Sequence, residues 1–355
     1  MCRYTAAMRR TLARWGLLAF WYVLAVSVAV EIGVRILLFG SQAFSFERVN
    51  SEQGIGVSGM IRNSRHREII YELTPNSNTY FKLERFTTNS QGLRDQDYPL
   101  VKPPGTRRVV VLGDSFTMPE GITLEDAWHS RLERRLSRES TELEYEFLNF
   151  GVGGYDPRQY LATLRWRAID YDPDLILMAS PGPFEAFKPE PKYSREFRAK
   201  PRGNPFFESF TLKLLTIKGR KAAKRLERAP LDARRRDLEA VYRELEDVSR
   251  EIDVPVLIVV LSRYILERNP DHEMEIAQLR SMAAAHGFFF METLPAFEHE
   301  DPDDLIRHRL DHHPNARANR IFAEAIYDFL KQTDLLLRAS DLSANRIGAR
   351  AREGS

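Results

Sequence analysis

A single cysteine, Cys2, in 355 residues leaves no partner for an intramolecular disulfide and no thiolate set for a metal centre. Strong net charge is also missing. With 52 Lys and Arg against 50 Asp and Glu the chain carries +2, so the balance offers no reason to invoke nucleic acid, although Arg-rich patches recur. Residues 41–105 lack long periodic segments; runs such as Tyr71-Glu72-Leu73-Thr74-Pro75-Asn76 alternate with turn residues, which predicts a few short strands and loops. From Gly16 to Ala29 no polar stripe marks a solvent face, which argues against a buried core helix there.

What is present begins with an apolar run from Trp15 to Gly40, preceded by Arg3, Arg9, Arg10 and Arg14. About 20 apolar residues cross a bilayer core, and a basic flank stays in the cytoplasm. The expectation is a cytoplasmic N-terminus over 1–14, a transmembrane anchor over 15–39, and the remainder on the extracytoplasmic, periplasmic side of a cell inner membrane. Glu31 and Arg35 interrupt the run at i, i+4 spacing, where they can pair. A cleaved signal peptide is the competing reading, since Ser27 and Ala29 form a small-residue site, but the run exceeds an h-region of about 7–15 residues.

After the Lys102-Pro103-Pro104-Gly105 breaker, strands and helices alternate. Val109 to Leu112 reads as a buried strand, followed by a helix at Ala127–Leu136, a strand at Tyr145–Leu148 and a helix at Arg158–Ile169. Further strands are expected at Leu175–Met178, Val254–Leu261 and Phe288–Met291, with helices at Leu231–Arg250, Glu273–His286 and Ala316–Leu330. Strands separated by helices mean right-handed crossovers and a parallel sheet covered on both faces, an α/β fold. The division expected is a lead-in over 40–105, an α/β domain over 106–332 with an insertion at about 187–230, and a disordered tail over 333–355.

Three stretches could carry chemistry. Gly113-Asp114-Ser115 ends the first strand and places a hydroxyl at its carboxyl end, where open α/β sheets bind ligands. Asn149-Phe150-Gly151-Val152-Gly153-Gly154 ends the next strand, and glycine there lets backbone N–H groups approach a ligand. Asp311-His312-His313-Pro314-Asn315 precedes the last helix, and in extended chain a carboxylate two residues from an imidazole projects to the same side and can orient it. His312 then points the other way. His129, His286, His299 and His308 fall on helices or polar loops and read as solvated residues. A metal site would need more ligands than the Asp/His cluster offers.

Taken together these stretches resemble the SGNH (GDSL) hydrolase family over roughly residues 107–331, and Asn89 to Asp95 looks like the lead-in of its membrane-anchored bacterial members. The resemblance implies a flavodoxin-like three-layer sandwich with strand order 2-1-3-4-5. It implies Ser115 as nucleophile, His313 as base and Asp311 as its orienter, with the Ser115 and Gly154 N–H groups in the oxyanion hole. No cofactor is implied. The expected activity is a serine esterase acting on an acylated small molecule or an extracytoplasmic glycan; acyl transfer to a sugar hydroxyl and a non-catalytic, membrane-tethered assembly or binding protein are the alternatives. Two departures stand out. The carboxylate is spaced D-x-H instead of the commoner D-x-x-H, and Pro183 falls where the family's third block carries an oxyanion Asn; losing one such donor costs about 10²–10³ in rate. The insertion carries Lys188, Lys192, Arg195, Arg198, Lys200 and Arg202, a possible cationic rim for an acidic polymer.

The charge asymmetry around the apolar run is directly testable. An alkaline phosphatase reporter fused after residue 60 is expected to be active; an inactive fusion beside an active cytoplasmic reporter at the same site reverses the orientation.

Overall fold

The computed structural model describes residues 2–57, 59–182, 204–216, 231–262 and 272–336. Helix α1, Cys2–Phe39, starts upstream of the expected anchor, because the basic flank is itself built of helix formers such as Ala, Met, Leu and Arg. Its apolar part lies within the stretch Thr11–Gln42, of mean hydropathy 2.1, long and apolar enough to cross a membrane as an anchor or signal sequence. None of that apolar window is buried within the protein.

The centre of the molecule is a five-stranded parallel sheet built from β5 (Thr106–Leu112), β6 (Glu144–Asn149), β7 (Leu175–Ser180), β8 (Val256–Val260) and β9 (Phe289–Glu292). Its order is β6-β5-β7-β8-β9, the 2-1-3-4-5 arrangement of a flavodoxin-like sheet. Strand side chains alternate between two cores, as a period of two requires. Val110, Leu112, Ile176, Met178 and Ile258 face a core shared with α4 (Pro157–Thr163), α6 (Leu231–Ile252) and α7 (His272–Ala285). Val109, Val111, Leu177 and Val259 face the other, built with α3 (Trp128–Glu139) and α8 (Ala316–Thr333). This is the expected three-layer α/β sandwich.

Some boundaries differ from expectation. The helix expected to reach Ile169 is α-helical only to Thr163, then widens into a π turn, Leu164–Ala168, and tightens to a 3₁₀ turn that Asp172 stops at φ +51°. Order continues past residue 333, since Leu335 and Leu336 are buried against the α3–α8 layer. The rest of the expected disordered tail, 337–355, lies outside the described residues, as does the insertion apart from 204–216. There a short turn, Pro205–Phe207, leads into α5, described over 210–216.

The lead-in does not stand apart. It comprises α2 (Phe46–Asn50), the antiparallel pair β1 (Ile61–Asn63) and β2 (Tyr71–Leu73), and the hairpin β3 (Asn78–Phe81) and β4 (Glu84–Thr87). Ile61, Tyr71, Leu73, Phe86 and Leu93 lie in the same apolar core as Val110 and Leu148 of the sheet. The junction between them is fixed by polar contacts. Asn89 closes its turn by accepting the Gln91 and Leu93 N–H groups, Arg94 is buried and donates to the Ile122 carbonyl at 2.6 Å, and Asp95 accepts the Asn149 N–H at 2.9 Å.

Gly92 is the pivot of that turn. Its φ is +75°, and a Cβ there would come within 2.5 Å of the Leu73 carbonyl oxygen. Both the backbone conformation and the neighbouring backbone oppose a side chain, so Gly92→Ala is expected to destabilise the full-length protein by about 1–3 kcal/mol, read from thermal or urea unfolding in detergent. An unchanged midpoint would mean that the turn can be rebuilt at no cost.

Candidate active site

Strand β5 lies second in the sheet, between β6 and β7, so the turn at its carboxyl end opens where crossovers leave in opposite directions, the crevice in which such sheets bind ligands. Asp114 shapes this turn. Its carboxylate accepts the Phe116 N–H at 3.0 Å, while its carbonyl accepts the Thr117 and Met118 N–H groups at 3.1 and 2.8 Å. Ser115 at the tip is half-buried.

The stretch before α8 forms a small antiparallel ribbon, β10 (Ile306–His308) with β11 (Asp311–Pro314), so the Asp/His stretch is extended as expected and is paired with a strand that the sequence did not indicate. Being extended, β11 puts Asp311 and His313 on one side. The Asp311 carboxylate accepts both the His313 N–H, at 3.1 Å, and the ring Nδ1–H, at 2.5 Å. His313 Nε2 then stands 2.9 Å from Ser115 Oγ. The structure thus joins Ser115, His313 and Asp311, 198 residues apart in sequence at the widest, in one hydrogen-bonded chain. His312 points elsewhere, with its Nε2 near the Arg309 carbonyl at 3.2 Å.

Four charged residues around this chain had escaped sequence reasoning. Lys82 Nζ and Arg307 Nη1 both reach the far oxygen of Asp311, at 3.0 and 2.5 Å, and Arg307 also bridges to Glu52 at 2.5 Å. Burial alone would raise the Asp311 pKa, but His313, Lys82 and Arg307 hold it well below the usual carboxylate range. Glu52 behaves likewise: against its burial, His308, Arg307 and Lys82 bring its pKa down to about 2. Lys82 occupies a left-handed hairpin position, φ +56°, anchored by its N–H on the Ser51 carbonyl at 3.0 Å. The fourth residue is Glu120. It is 6% exposed, its Oε2 lies 3.5 Å from His313 Nε2, and it packs so closely on Gly153 that a Cβ there would meet its Oε1 at 2.7 Å. The only local signals were a carboxylate five residues after Ser115 and a cation four residues before Asp311.

The imidazole therefore sits between two carboxylates. Burial favours its neutral form, but Glu120 and Asp311 outweigh burial and raise the His313 pKa.

The glycine turn after β6 is held by Asn149, whose Oδ1 accepts the Gly151 N–H at 2.9 Å and whose Nδ2 faces His129 Nε2 at 3.0 Å. Gly154 has φ +89°. Pro183 and the cationic residues 188–202 lie outside the described residues. Three of the other histidines are not solvated. His129 is 1% exposed, and burial drives its pKa down to about 3, so it serves Asn149 as a neutral partner. His286 is clasped by Glu246 and Glu239, and His308 packs edge-on to Phe39. Only His299 is exposed. Amphipathic patterning could not reveal this, because each histidine is buried by a segment distant in sequence.

The strand order, with the Ser115 turn at the carboxyl edge, is the flavodoxin-like 2-1-3-4-5 order that the resemblance to the SGNH hydrolases implies. Among solved structures the chain is similar to LAE5, an alpha/beta hydrolase enzyme from the metagenome of Lake Arreo, Spain, with 18% identity and a TM-score of 0.41 over 65% of this chain and 96% of that one. It is also similar to Axe2, an acetylxylan esterase from Geobacillus stearothermophilus, with 18% identity and a TM-score of 0.42 over 63% and 93%. TesA shares 16% identity at a TM-score of 0.42 over 64% and 99%. No protein-family model and no curated protein matches the sequence.

Two carboxylates on one imidazole have a measurable consequence. In a ¹³C-histidine NMR titration His313 is expected to lose its proton above the usual histidine range. Glu120→Gln removes an anion that stabilises the imidazolium, so its midpoint should fall; an unmoved midpoint would show that Glu120 does not act on the ring.

Proposed function

We propose that this chain is a serine esterase of the SGNH type, and the observation that carries the reading is the chain Asp311–His313–Ser115 with separations of 2.5 and 2.9 Å. Ser115 Oγ attacks an ester carbonyl while His313 Nε2 takes its proton, and the Nδ1–H stays on the Asp311 carboxylate, which stabilises the imidazolium that forms. When the tetrahedral intermediate collapses, the ester C–O bond breaks and the departing alkoxide takes the proton from His313. Water then adds to the acyl-serine, giving its proton to the same nitrogen, and the carboxylic acid leaves with Ser115 restored. The Ser115 and Gly154 N–H groups are the oxyanion donors in this reading. The substrate is an acylated molecule outside the cytoplasm, such as an envelope glycan, consistent with an apolar N-terminal helix; transfer to a sugar hydroxyl uses the same residues with a different acceptor.

Glu120 favours a second reading. A carboxylate against the glycine turn opposes a developing oxyanion there, and with Pro183 in place of an Asn donor the site would turn over slowly or act only as a membrane-tethered assembly or binding module.

A fluorophosphonate probe separates the two. Covalent labelling is expected at Ser115 and should vanish in Ser115→Ala and His313→Ala. On an activated acetate ester, Asp311→Asn should lower kcat on the order of 10⁴-fold by loss of the correct tautomer. A folded protein that neither labels nor hydrolyses above the Ser115→Ala background is the assembly module instead.

A further inference from the structure

The one charged pair within the apolar part of α1, Glu31 and Arg35, faces neither solvent nor lipid alone. Glu31 accepts the backbone N–H groups of Phe210 and Thr211, at 2.9 and 3.1 Å, and the Ser209 hydroxyl at 3.0 Å. Arg35 pairs with Glu31 at 3.0 Å and donates to the carbonyls of Phe206 and Glu208, at 2.5 and 3.0 Å. Its guanidinium also lies over the Phe206 and Phe210 rings. Segment 204–216 is thereby clamped to the last turns of α1, with the Phe39 and Phe210 rings packed 4.8 Å apart and the Phe206 N–H tied to Asn50 at 2.9 Å.

The outward side of this clamp is apolar. Phe207 and Leu215 are 73% and 77% exposed, and Leu212, Phe44 and Phe46 beside them are also exposed. Their level along α1 follows from helix geometry. From Trp15 to Val34 is about 20 residues, which at a rise of 1.5 Å spans about 30 Å, the thickness of a bilayer's hydrocarbon core. Glu31 and Arg35 therefore fall at the far edge of that core, and the apolar side chains held around them fall in the interfacial zone, where aromatic and aliphatic groups are stabilised.

We propose that Phe44, Phe46, Phe207, Leu212 and Leu215 form a collar that sinks into the outer interface of the bilayer around the emerging α1, so that the domain rests on the membrane instead of swinging from a tether. The collar rests on the reading of α1 as a retained anchor. Phe46 lies against Phe206 and Phe207, with ring centroids 5.2 and 6.1 Å apart, so the exposed groups adjoin one another, and burial at a lipid interface continuous with the unburied surface of α1 accounts for exposure that a soluble surface would leave in water. It also fixes where the site faces. A cavity of 310 Å³ lies between the end of α1 and the charges behind Asp311, lined by Leu38, Phe39, Lys82, Gly121 and Arg307. The candidate site accordingly sits at the bilayer surface, within reach of substrates attached to or lying on it.

The test uses the full-length chain with Cys2→Ser and one added thiol, at Phe207→Cys, Leu212→Cys or Leu215→Cys, carrying a bimane label. Val23→Cys serves as anchor control and Glu142→Cys, exposed beyond the amino ends of the strands, as solvent control. Each is reconstituted in phosphatidylcholine–phosphatidylglycerol vesicles with lipids brominated near the headgroup or deep in the acyl chain. The collar labels are expected to lose at least about half their fluorescence to shallow bromines, the Val23 label to deep ones, and the Glu142 label to neither. If Val23 is quenched while all three collar labels match Glu142, the collar is wrong and the anchor stands. Failure of quenching at Val23 as well removes the anchor and the collar together. Blue-shifted but unquenched collar labels would mean that a protein surface covers the patch, which also overturns the proposal.

Discussion

The Asp311 carboxylate is the point on which the arrangement turns. One of its oxygens serves His313 through two hydrogen bonds, and the other is held by Lys82 and Arg307. A buried carboxylate with a single partner would carry a large desolvation cost; with two cations and an imidazole around it, ionisation is retained and the ring is fixed in one orientation. The same cations are shared with Glu52, and Arg307 lies so close to Gly121 that a Cβ there would meet its Nε at 1.9 Å. Removing one member of such a network leaves a buried charge uncompensated, which typically costs about 3–5 kcal/mol.

This network explains why the lead-in belongs structurally to the sheet that follows it. Lys82 and Glu52 come from the lead-in, Arg307 and Asp311 from the β10–β11 ribbon, and Glu120 from the turn after β5. The hairpin that presents Lys82 keeps two non-glycine residues, Lys82 and Leu83, at positive φ, a conformation that costs about 1–2 kcal/mol per residue. It persists because the Ser51 carbonyl and hydroxyl capture both N–H groups, at 3.0 and 2.8 Å, and because Leu83 is buried with Phe39 and Phe210. Strain at the hairpin, charge behind Asp311 and packing against the end of α1 are thus parts of one construction.

Glu120 introduces a tension within it. The carboxylate that raises the His313 pKa strengthens the imidazole as a base, yet keeps more of it protonated near neutral pH and places negative charge beside the turn where an acyl-transfer intermediate would carry its own.

Much of the architecture was written locally. Runs such as Val109–Leu112 and Val256–Val260 are apolar throughout and mostly β-branched, the pattern of a short strand buried on both faces, and the helices between them show their apolar spacing within a few turns. Ser115, Asp311 and His313 were legible as candidates because a strand-end turn and a D-x-H in extended chain are short-range patterns, while their joint roles followed only from the family resemblance of the three stretches together. Lys82, Glu52, Arg307 and Glu120 were not, because a charged residue reads identically whether it ends in water or in a buried network. The burial of His129 and His308 and the Arg35–Glu31 clamp on 204–216 likewise depend on partners tens to hundreds of residues away. Period and turn chemistry act over a few residues and so are fixed by the chain itself, whereas desolvation and Coulomb interaction depend on distance through space, and those distances exist only once the tertiary structure has formed.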